Sequence, residues 1–188
     1  TTLSCYFNAV IPAIERLKQE GKIDHWGIGL GQEEALIKAI NYSKPPDAMQ
    51  CAVNVLNSIG AIGYINEKND PDKILNECQN KNIPILAIRA VQAGALTSSM
   101  DRKPHESGFD VEDIKDFEKA LPFREYAKKV NENPASLAHR YALSQEKVSS
   151  VILGVKNRKE LLECIKAESS GELDKEMLAN LNNLFKNM

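Results

Sequence analysis

Three basic side chains lie where an apolar run gives way to a helix. In residues 151–165, VILGVKNRKELLECI, the apolar run ends at Gly154, and Lys156, Arg158 and Lys159 follow before a leucine-spaced helix. The first amides of a helix are unpaired and polarised positively, so acidic residues stabilise this position whereas basic ones suit a bound anion. The pattern is compatible with a phosphate site and also with a solvated helix start.

The same junction carries a capping signal. Asn157 is a favoured helix cap, and Glu160 stands three residues further on, as in a capping box. Gly154 is expected to let the backbone turn tightly after the strand. The helix is therefore predicted to begin at Asn157.

Five polar residues elsewhere are weaker candidates for chemistry. Gln50 lies inside an apolar strand, where its amide needs partners, either in the core or on a ligand. Arg89 follows another apolar run and points either toward a ligand or into a buried ion pair with a helix. His25, flanked by Asp24 and Trp26, is either an acid–base residue or a surface histidine, and His105 and His139 are expected to be structural or solvated. No G-x-S-x-G nucleophile motif and no G-x-G-x-x-G phosphate loop occurs.

Composition excludes several classes of function. The chain has 188 residues, 43% hydrophobic and 27% charged, with a formal net charge of -2. No global positive field or basic aromatic face favours nucleic acid, and no apolar run approaches the roughly 20 residues of a membrane span. The start, TTLSCYFNAV, lacks the pattern of a secretory signal.

Four widely separated cysteines argue against a disulfide framework and against zinc. Cys5, Cys51, Cys78 and Cys164 form no C-x-x-C pair. Free thiols in a reducing cytoplasm are the expected state, and no metal site is predicted.

Apolar strands alternate with amphipathic helices along the whole chain. Strands are predicted at 23–30, 48–57, 83–91 and 148–155. Helices are predicted at 9–20, 32–41, 71–81, 123–131, 134–145, 157–168 and 174–186. This order predicts an α/β fold with a parallel sheet, which fits half of an eight-fold barrel as well as a small open sheet.

Several segments, in this order, resemble the C-terminal half of the aldo-keto reductases. They are EGKIDHWGIG (20–29), DAMQCAVNVLN (47–57), ILAIRAVQAGALT (85–97) and NPASLAHRYALSQEKVSSVILGVKNRKEL (133–161). The resemblance implies part of a (β/α)8 TIM barrel, with about four parallel strands and their helices. Residues 1–188 would then form a single domain, the C-terminal half of such a barrel.

The resemblance also implies a nicotinamide dinucleotide site. Gln50 matches the amide that holds the nicotinamide carboxamide, and Gly29 and Leu30 replace the frequent Ser-Asn of that region. Ile88 stands where many members stack a tyrosine on the nicotinamide ring, so that stacking is lost or replaced. Arg89, Ala90 and Val91 would line the pyrophosphate side.

The adenosine end of that site would fall on residues 151–165. Gly154, Val155, Lys156 and Asn157 match the loop that takes the ribose and its 2′-phosphate, with Lys156 supplying the positive charge. Glu160 stands where the family prefers Arg or Gln, and Cys164 stands where it prefers Asn. The expected cofactor is NADP. Because the Glu160 carboxylate would repel a 2′-phosphate, NAD is the alternative.

The family's catalytic Asp, Tyr, Lys and His lie on its first four strands, and this chain begins at the helix after the fourth. No catalytic residue is therefore expected, and a small carbonyl substrate is expected only in the complete barrel. The loop at 97–120 is expected to fold over the cofactor or substrate.

The alternative function is a non-catalytic nucleotide-binding or interaction module. A half-barrel of either kind is expected to self-associate or to pair with the missing N-terminal half.

Overall fold

Helices and strands alternate in the computed structural model, which describes residues 2–29, 32–65, 70–100 and 103–185. The strands are β1 (Gly27–Gly29), β2 (Ala48–Ala52), β3 (Ile85–Ile88) and β4 (Val148–Val151). The helices are α1 (Thr2–Cys5), α2 (Ile11–Gln19), α3 (Glu33–Ile40), α4 (Pro71–Asn80), α5 (Val111–Lys119), α6 (Leu121–Lys129), α7 (Pro134–Leu143), α8 (Arg158–Ser169) and α9 (Lys175–Asn183). A π-helical turn, Tyr6–Val10, joins α1 to α2, and 3-10 turns occupy Gly60–Ile65 and Gln92–Gly94.

The four described strands form one parallel sheet in the order β1-β2-β3-β4. Each successive strand is reached through at least one helix, as parallel pairing requires. The prediction of an α/β fold with four parallel strands, part of a (β/α)8 barrel, is confirmed. None of the helices within the described ranges is long and apolar enough to cross a membrane.

One face of the sheet packs on helices. Met49 and Cys51 of β2 and Ile85 and Ala87 of β3 are buried, together with apolar side chains of α3 and α4. Alternate residues of β2 and β3, such as Gln50 and Leu86, lie on the opposite face and are only half-buried. Since successive side chains of a strand point to opposite faces, this alternation gives the sheet one core face and one open face.

A second apolar cluster holds the C-terminal helices together. Phe123 of α6, Leu137 of α7 and Leu181 of α9 are almost completely buried, and Leu96 packs with them. Burial of side chains of this size contributes about 1.5–3 kcal/mol each. This cluster fixes α7, which in turn lies against β4 and α8.

Element boundaries follow local signals where those exist. Gly21 has φ +66° directly after the cap of α2, and Pro71 opens α4, as predicted. The strands are shorter than the apolar runs that predicted them. The largest difference is α5, which occupies much of the predicted 97–120 loop. Its buried residues are two carboxylates, Asp113 and Asp116, while its apolar Val111 is exposed, so α5 does not pack by the apolar positions from which a buried helix is usually predicted.

Candidate functional site

A glycine makes room for an amide at the end of the sheet. Gly29 of β1 is the register partner of Gln50 in β2, and Gln50 is the partner of Leu86 in β3. A Cβ at position 29 would lie 2.5 Å from the Gln50 Cβ and 2.7 Å from its Oε1. The Gln50 side chain therefore occupies the space that a larger residue at position 29 would need. Leu30, the other predicted residue here, lies outside the described residues.

The Gln50 amide is available to a ligand. The side chain is half-buried on the open face of the sheet, and it makes no hydrogen bond with the described part of the chain. A carboxamide offers two N–H donors and an accepting oxygen, which match the groups of another carboxamide. The structure thus places the predicted amide on the open face, beside a glycine.

The residues at the end of β3 differ in whether their side chains lie on the open face or pack in the core. Ile88 is half-buried and is the register partner of Ala52, so it lies on the open face two residues beyond Leu86. Ala90 is 3% exposed within the sheet core, and Val91 packs against the second cluster. The Ala90 side chain is therefore closed to a ligand, whereas Val91 is only half-buried.

Arg89 is held by a buried carboxylate. Its side chain is 14% exposed, and its Nη2 pairs with Oδ1 of Asp113, which is 2% exposed. Its Nε donates to Oε1 of Gln92 at 2.9 Å. One of the two expected arrangements, the buried ion pair with a helix, is present. The predicted pyrophosphate contact of Arg89 stays a prediction.

Gln92 connects this ion pair to a second carboxylate. Its Nε2 donates to Oδ2 of Asp116 at 2.7 Å and to Oγ of Ser58 at 3.1 Å, and the Ser58 hydroxyl also donates to Asp116. Gln92 itself is fully buried. We call Ser58, Arg89, Gln92, Asp113 and Asp116 the polar clasp, because together they fasten α5 to the end of β3.

The backbone at the clasp is unusually constrained. Arg89, Gln92 and Ala93 have φ of +58°, +46° and +50°, a region that side chains other than glycine rarely adopt. Gly60 has φ +53°, and a Cβ there would clash with Asp113, Arg89 and Gln92. Gln92 and the two carboxylates are the residues that sequence reasoning missed, since charged positions on a helix normally indicate a solvated face.

The junction of β4 and α8 is capped as the sequence predicted. Oδ1 of Asn157 accepts from the Glu160 N–H at 3.0 Å, which is the cap bond. The Glu160 carboxylate turns back and accepts from the Lys156 N–H at 2.8 Å and from Asn157 Nδ2 at 3.0 Å. In a standard capping box the acid accepts from the cap residue's own N–H, so here the box reaches one residue further.

The predicted reason for Gly154 is wrong. A Cβ there would meet nothing within 4 Å, and its φ lies outside the left-handed region. The turn after β4 therefore does not require glycine. Gly154, Val155, Lys156 and Asn157 are all exposed, as are Arg158 and Lys159, so the junction presents its charge to solvent.

Cys164 pairs with a buried histidine. Its Sγ lies 3.3 Å from Nε2 of His139, whose Nδ1 is buried without a hydrogen-bond partner. Burial raises the pKa of the Cys164 thiol, with Glu163 and Glu160 adding to the effect, and burial lowers the pKa of His139. Both groups are therefore favoured in their neutral forms. Sequence reasoning found Cys164 but did not connect it with His139.

The remaining histidines do not join a site. His25 is exposed, and the exposed His105 contacts Ser107 and the ring of Phe109. Within the described ranges no group of three or more metal-ligating side chains converges.

The fold is a parallel sheet with helices on one face, which defines an α/β protein of partial (β/α)8-barrel type. An open amide lies beside a glycine at the sheet edge, and a capped basic helix start follows the last described strand. The aldo/keto reductase family model matches residues 3–186. The chain belongs to the aldo/keto reductase family. The family resemblance read from the sequence is confirmed. No curated protein matches the chain.

Solved structures agree in fold. The holo form of aldo-keto reductase AKR11C1 from Bacillus halodurans aligns with a TM-score of 0.71 at 18% identity, over 97% of this chain and 55% of that one. Its apo form gives 0.67 at 19% identity, over 95% and 56%. The thermostable aldo-keto reductase Tm1743, in complex with the inhibitor epalrestat, gives 0.63 at 18% identity, over 92% and 53%. The chain therefore spans about half the length of these structures.

Proposed function

We propose that residues 1–188 form one domain, the C-terminal half of an aldo-keto reductase barrel, and that this half supplies the site for a nicotinamide dinucleotide. The observation that carries the proposal is the pairing of Gly29 with Gln50, which leaves a carboxamide free of hydrogen bonds to the described residues on the open face of the sheet. The order of the sequence motifs along the chain supports its assignment to the C-terminal half of the barrel.

The nicotinamide end would lie on the Gln50 amide. When bound, the dinucleotide supplies a hydride to a carbonyl carbon or accepts one from an alcohol. The chain's own part is to hold and orient the ring, with Gln50 on its carboxamide and Ile88 on the same open face. Ile88 offers apolar contact where a tyrosine would stack, and so lacks aromatic stacking.

The adenosine end would lie at the start of α8. Lys156 is exposed there, and the amides of the first turn attract an anion. However, the Glu160 carboxylate already accepts from the Lys156 N–H at 2.8 Å, so it competes with a phosphate for that donor. We propose NADP as the cofactor, with NAD as the alternative that Glu160 favours.

The complete barrel would transfer a hydride between NAD(P)H and an aldehyde or ketone. The general acid for the carbonyl oxygen would come from the N-terminal half, because no catalytic residue of the family matches a position in this chain. A small carbonyl substrate would therefore bind only when both halves are present. We place the protein in the cytoplasm, since a reducing compartment suits four unpaired thiols.

Two substitutions test the adenosine end by titration of the 188-residue chain with NADPH and NADH, followed by cofactor fluorescence or calorimetry. Lys156→Ala should weaken NADPH about five- to tenfold and leave NADH nearly unchanged, because only NADPH carries the 2′-phosphate. Lys159→Ala is the matched control, since Lys159 is 87% exposed and lies near Glu163. Equal losses for both cofactors would remove the proposed role of Lys156.

Glu160→Gln tests the competing carboxylate. Gln keeps the side-chain oxygen of the capping box and removes the charge. A single charge contributes about 1 kcal/mol at contact distance in water, so NADPH affinity should rise about fivefold. Glu163→Gln removes a charge from the same helix and should change little. No gain for Glu160→Gln would show that its carboxylate does not face the 2′-phosphate.

The second candidate is a non-catalytic half-barrel that binds a nucleotide or a protein. It is supported by the exposed apolar side chains of α8, such as Leu162, which is 54% exposed. Adding NADPH and a reactive aldehyde to the chain, and following NADPH absorbance, separates the two functions. Binding without turnover agrees with both, whereas turnover would contradict the proposed location of the general acid. Turnover that appears only after an N-terminal half is supplied would favour the enzyme half over the module.

A further inference from the structure

A cleft of about 440 Å³ lies on the helix-covered side of the sheet, between α4 and α7. The turn after β2 and the helix α9 complete its lining. Gln79 of α4 donates from Nε2 to the carbonyl oxygen of Glu146, just after α7, at 2.9 Å, so the two walls are joined. Because α4 and α7 follow β2 and β3, the inner strands, the cleft does not arise from an open edge of the sheet.

Carboxamide side chains dominate the lining of this cleft. They come from the turn after β2, from α4, from the residues after α7 and from α9. The six residues are Asn54, Asn57, Asn76, Gln79, Gln145 and Asn182. Each carboxamide offers two N–H donors and an accepting oxygen, so the lining is rich in both kinds of hydrogen-bonding group.

Two of the six carboxamides are engaged by the protein itself. The Asn54 amide donates to the carbonyl oxygen of Ser58 at 2.8 Å and accepts from the Ser58 N–H at 3.2 Å. The Asn57 amide donates to Oδ1 of Asp70 and accepts from the Asp72 N–H, both at 3.0 Å. These two side chains are therefore structural.

The other four carboxamides keep hydrogen-bonding positions that no described residue fills. Asn76 makes no side-chain hydrogen bond with the described part of the chain. Gln79 and Gln145 use N–H donors on backbone carbonyls, at 2.9 and 3.2 Å, and their oxygens accept from no described group. Asn182 accepts from the Tyr141 hydroxyl at 2.9 Å, and its N–H donors stay open in the same sense. Open donors and open acceptors thus face one space.

The charge of the cleft limits what it can bind. Asp72 is the one charged side chain among the described residues that line it. Burial raises the pKa of Tyr141, with Asp72 adding to the effect, so that hydroxyl stays protonated. An anion would meet Asp72 without a cation to balance it. Leu56, Leu75 and Phe185 supply apolar contact beside the amides.

We propose that this cleft binds a neutral polyhydroxylated molecule, either a sugar or a cyclic polyol. Hydroxyl groups donate and accept, so they match the open oxygens of Gln79 and Gln145 and the open donors of Asn182. An apolar ligand would leave these groups unpaired. The open groups come from three segments around the cleft, which suits hydroxyls on several sides of a ring better than the edge of a planar base.

The size and place of the cleft agree with a separate small-molecule site. Such sites have volumes of about 300–1,000 Å³, and this cleft falls within that range. Gln50 lies on the open face of the sheet, whereas the cleft lies on the face that the helices cover. The proposal therefore does not depend on the dinucleotide site.

Titration of the ¹⁵N-labelled 188-residue chain, followed by NMR of its side-chain amide signals, tests the proposal. D-glucose and myo-inositol are the probes, and at least one should shift the signals of Gln79, Gln145 and Asn182 saturably, with a Kd of about 1 mM. The ratio of the two affinities distinguishes a sugar from a cyclic polyol. D-glucuronate, a hexose ring with a carboxylate, should bind at least about tenfold more weakly than D-glucose because of Asp72.

Two substitutions on α4 locate the binding. Asn76→Ala removes an amide that no described residue engages and should weaken the bound probe about fivefold or more. Asn80→Ala is the matched control, since Asn80 is the last residue of α4, is exposed and lies outside the lining of the cleft. The proposal is overturned if neither probe shifts these signals saturably, or if both variants weaken binding equally. Tighter binding of D-glucuronate, or of adenosine as a planar base, would overturn it as well.

Discussion

The polar clasp should contribute strongly to stability, and Asp113→Asn tests that contribution. The substitution keeps the shape of the side chain and removes the charge that faces Arg89. Arg89 is 14% exposed and Asp113 is 2% exposed, so the guanidinium would be left mostly buried without its carboxylate. Breaking a buried ion pair on one side costs about 3–5 kcal/mol, and the partial exposure of Arg89 favours the lower end, about 3 kcal/mol.

That loss should be measurable as a change in unfolding. For a domain of this size, 1 kcal/mol corresponds to about 2–4 °C in Tm, so Asp113→Asn should lower Tm by about 6–12 °C. Urea unfolding followed by circular dichroism gives the free energy directly. Glu112→Gln is the control on the same helix, because the Glu112–Lys115 pair is 55% exposed on both sides. An exposed pair contributes about 0–1 kcal/mol.

A double substitution separates charge from packing. Replacing both Arg89 and Asp113 with apolar residues of similar size, as in R89M/D113L, removes both charges of the ion pair together and should recover part of the loss. The explanation is refuted if Asp113→Asn and Glu112→Gln change stability equally. It is also refuted if R89M alone is as stable as the wild type, since Asp113 would then tolerate the loss of its partner.

Two further predictions concern the strand end and the thiols. Gly29→Ala should displace Gln50 and weaken NADPH and NADH alike, by about tenfold, in the same titration, because the nicotinamide end is common to both. Burial raises the pKa of Cys51 and of Cys78 to about 12, and Cys5 is exposed. At pH 8, iodoacetamide should therefore modify Cys5 first and the two buried thiols only after unfolding; modification of Cys51 in the folded chain would contradict the described core.

The sheet was predictable because its strands are apolar runs separated by amphipathic helices. Apolar runs such as 83–91 located β3. Asn157 as a cap and Pro71 in a first turn located two helix starts. Strand lengths were less predictable, since apolar side chains continue beyond the last paired residue. Val53, for example, is buried but lies outside β2.

The site was only partly predictable. Gln50 stood out as an amide within an apolar strand. The space for its side chain, however, depends on Gly29, its register partner in another strand. For Arg89 the sequence allowed either a ligand contact or an ion pair with a helix. The carboxylate that forms the ion pair, Asp113, lies 24 residues away on α5. No local pattern reports such a distant contact, because buried charges on a helix look the same in sequence as solvated ones.

The clasp also determines how the strand end can respond to a ligand. α5 is fastened to β3 by side-chain contacts within the chain itself. Ordering a rotamer-rich side chain on binding costs about 0.5–1.5 kcal/mol, and here Arg89 and Gln92 are ordered at the folding step. This edge is thus preorganised, and it should select among ligands by rigid shape while having little capacity for induced fit.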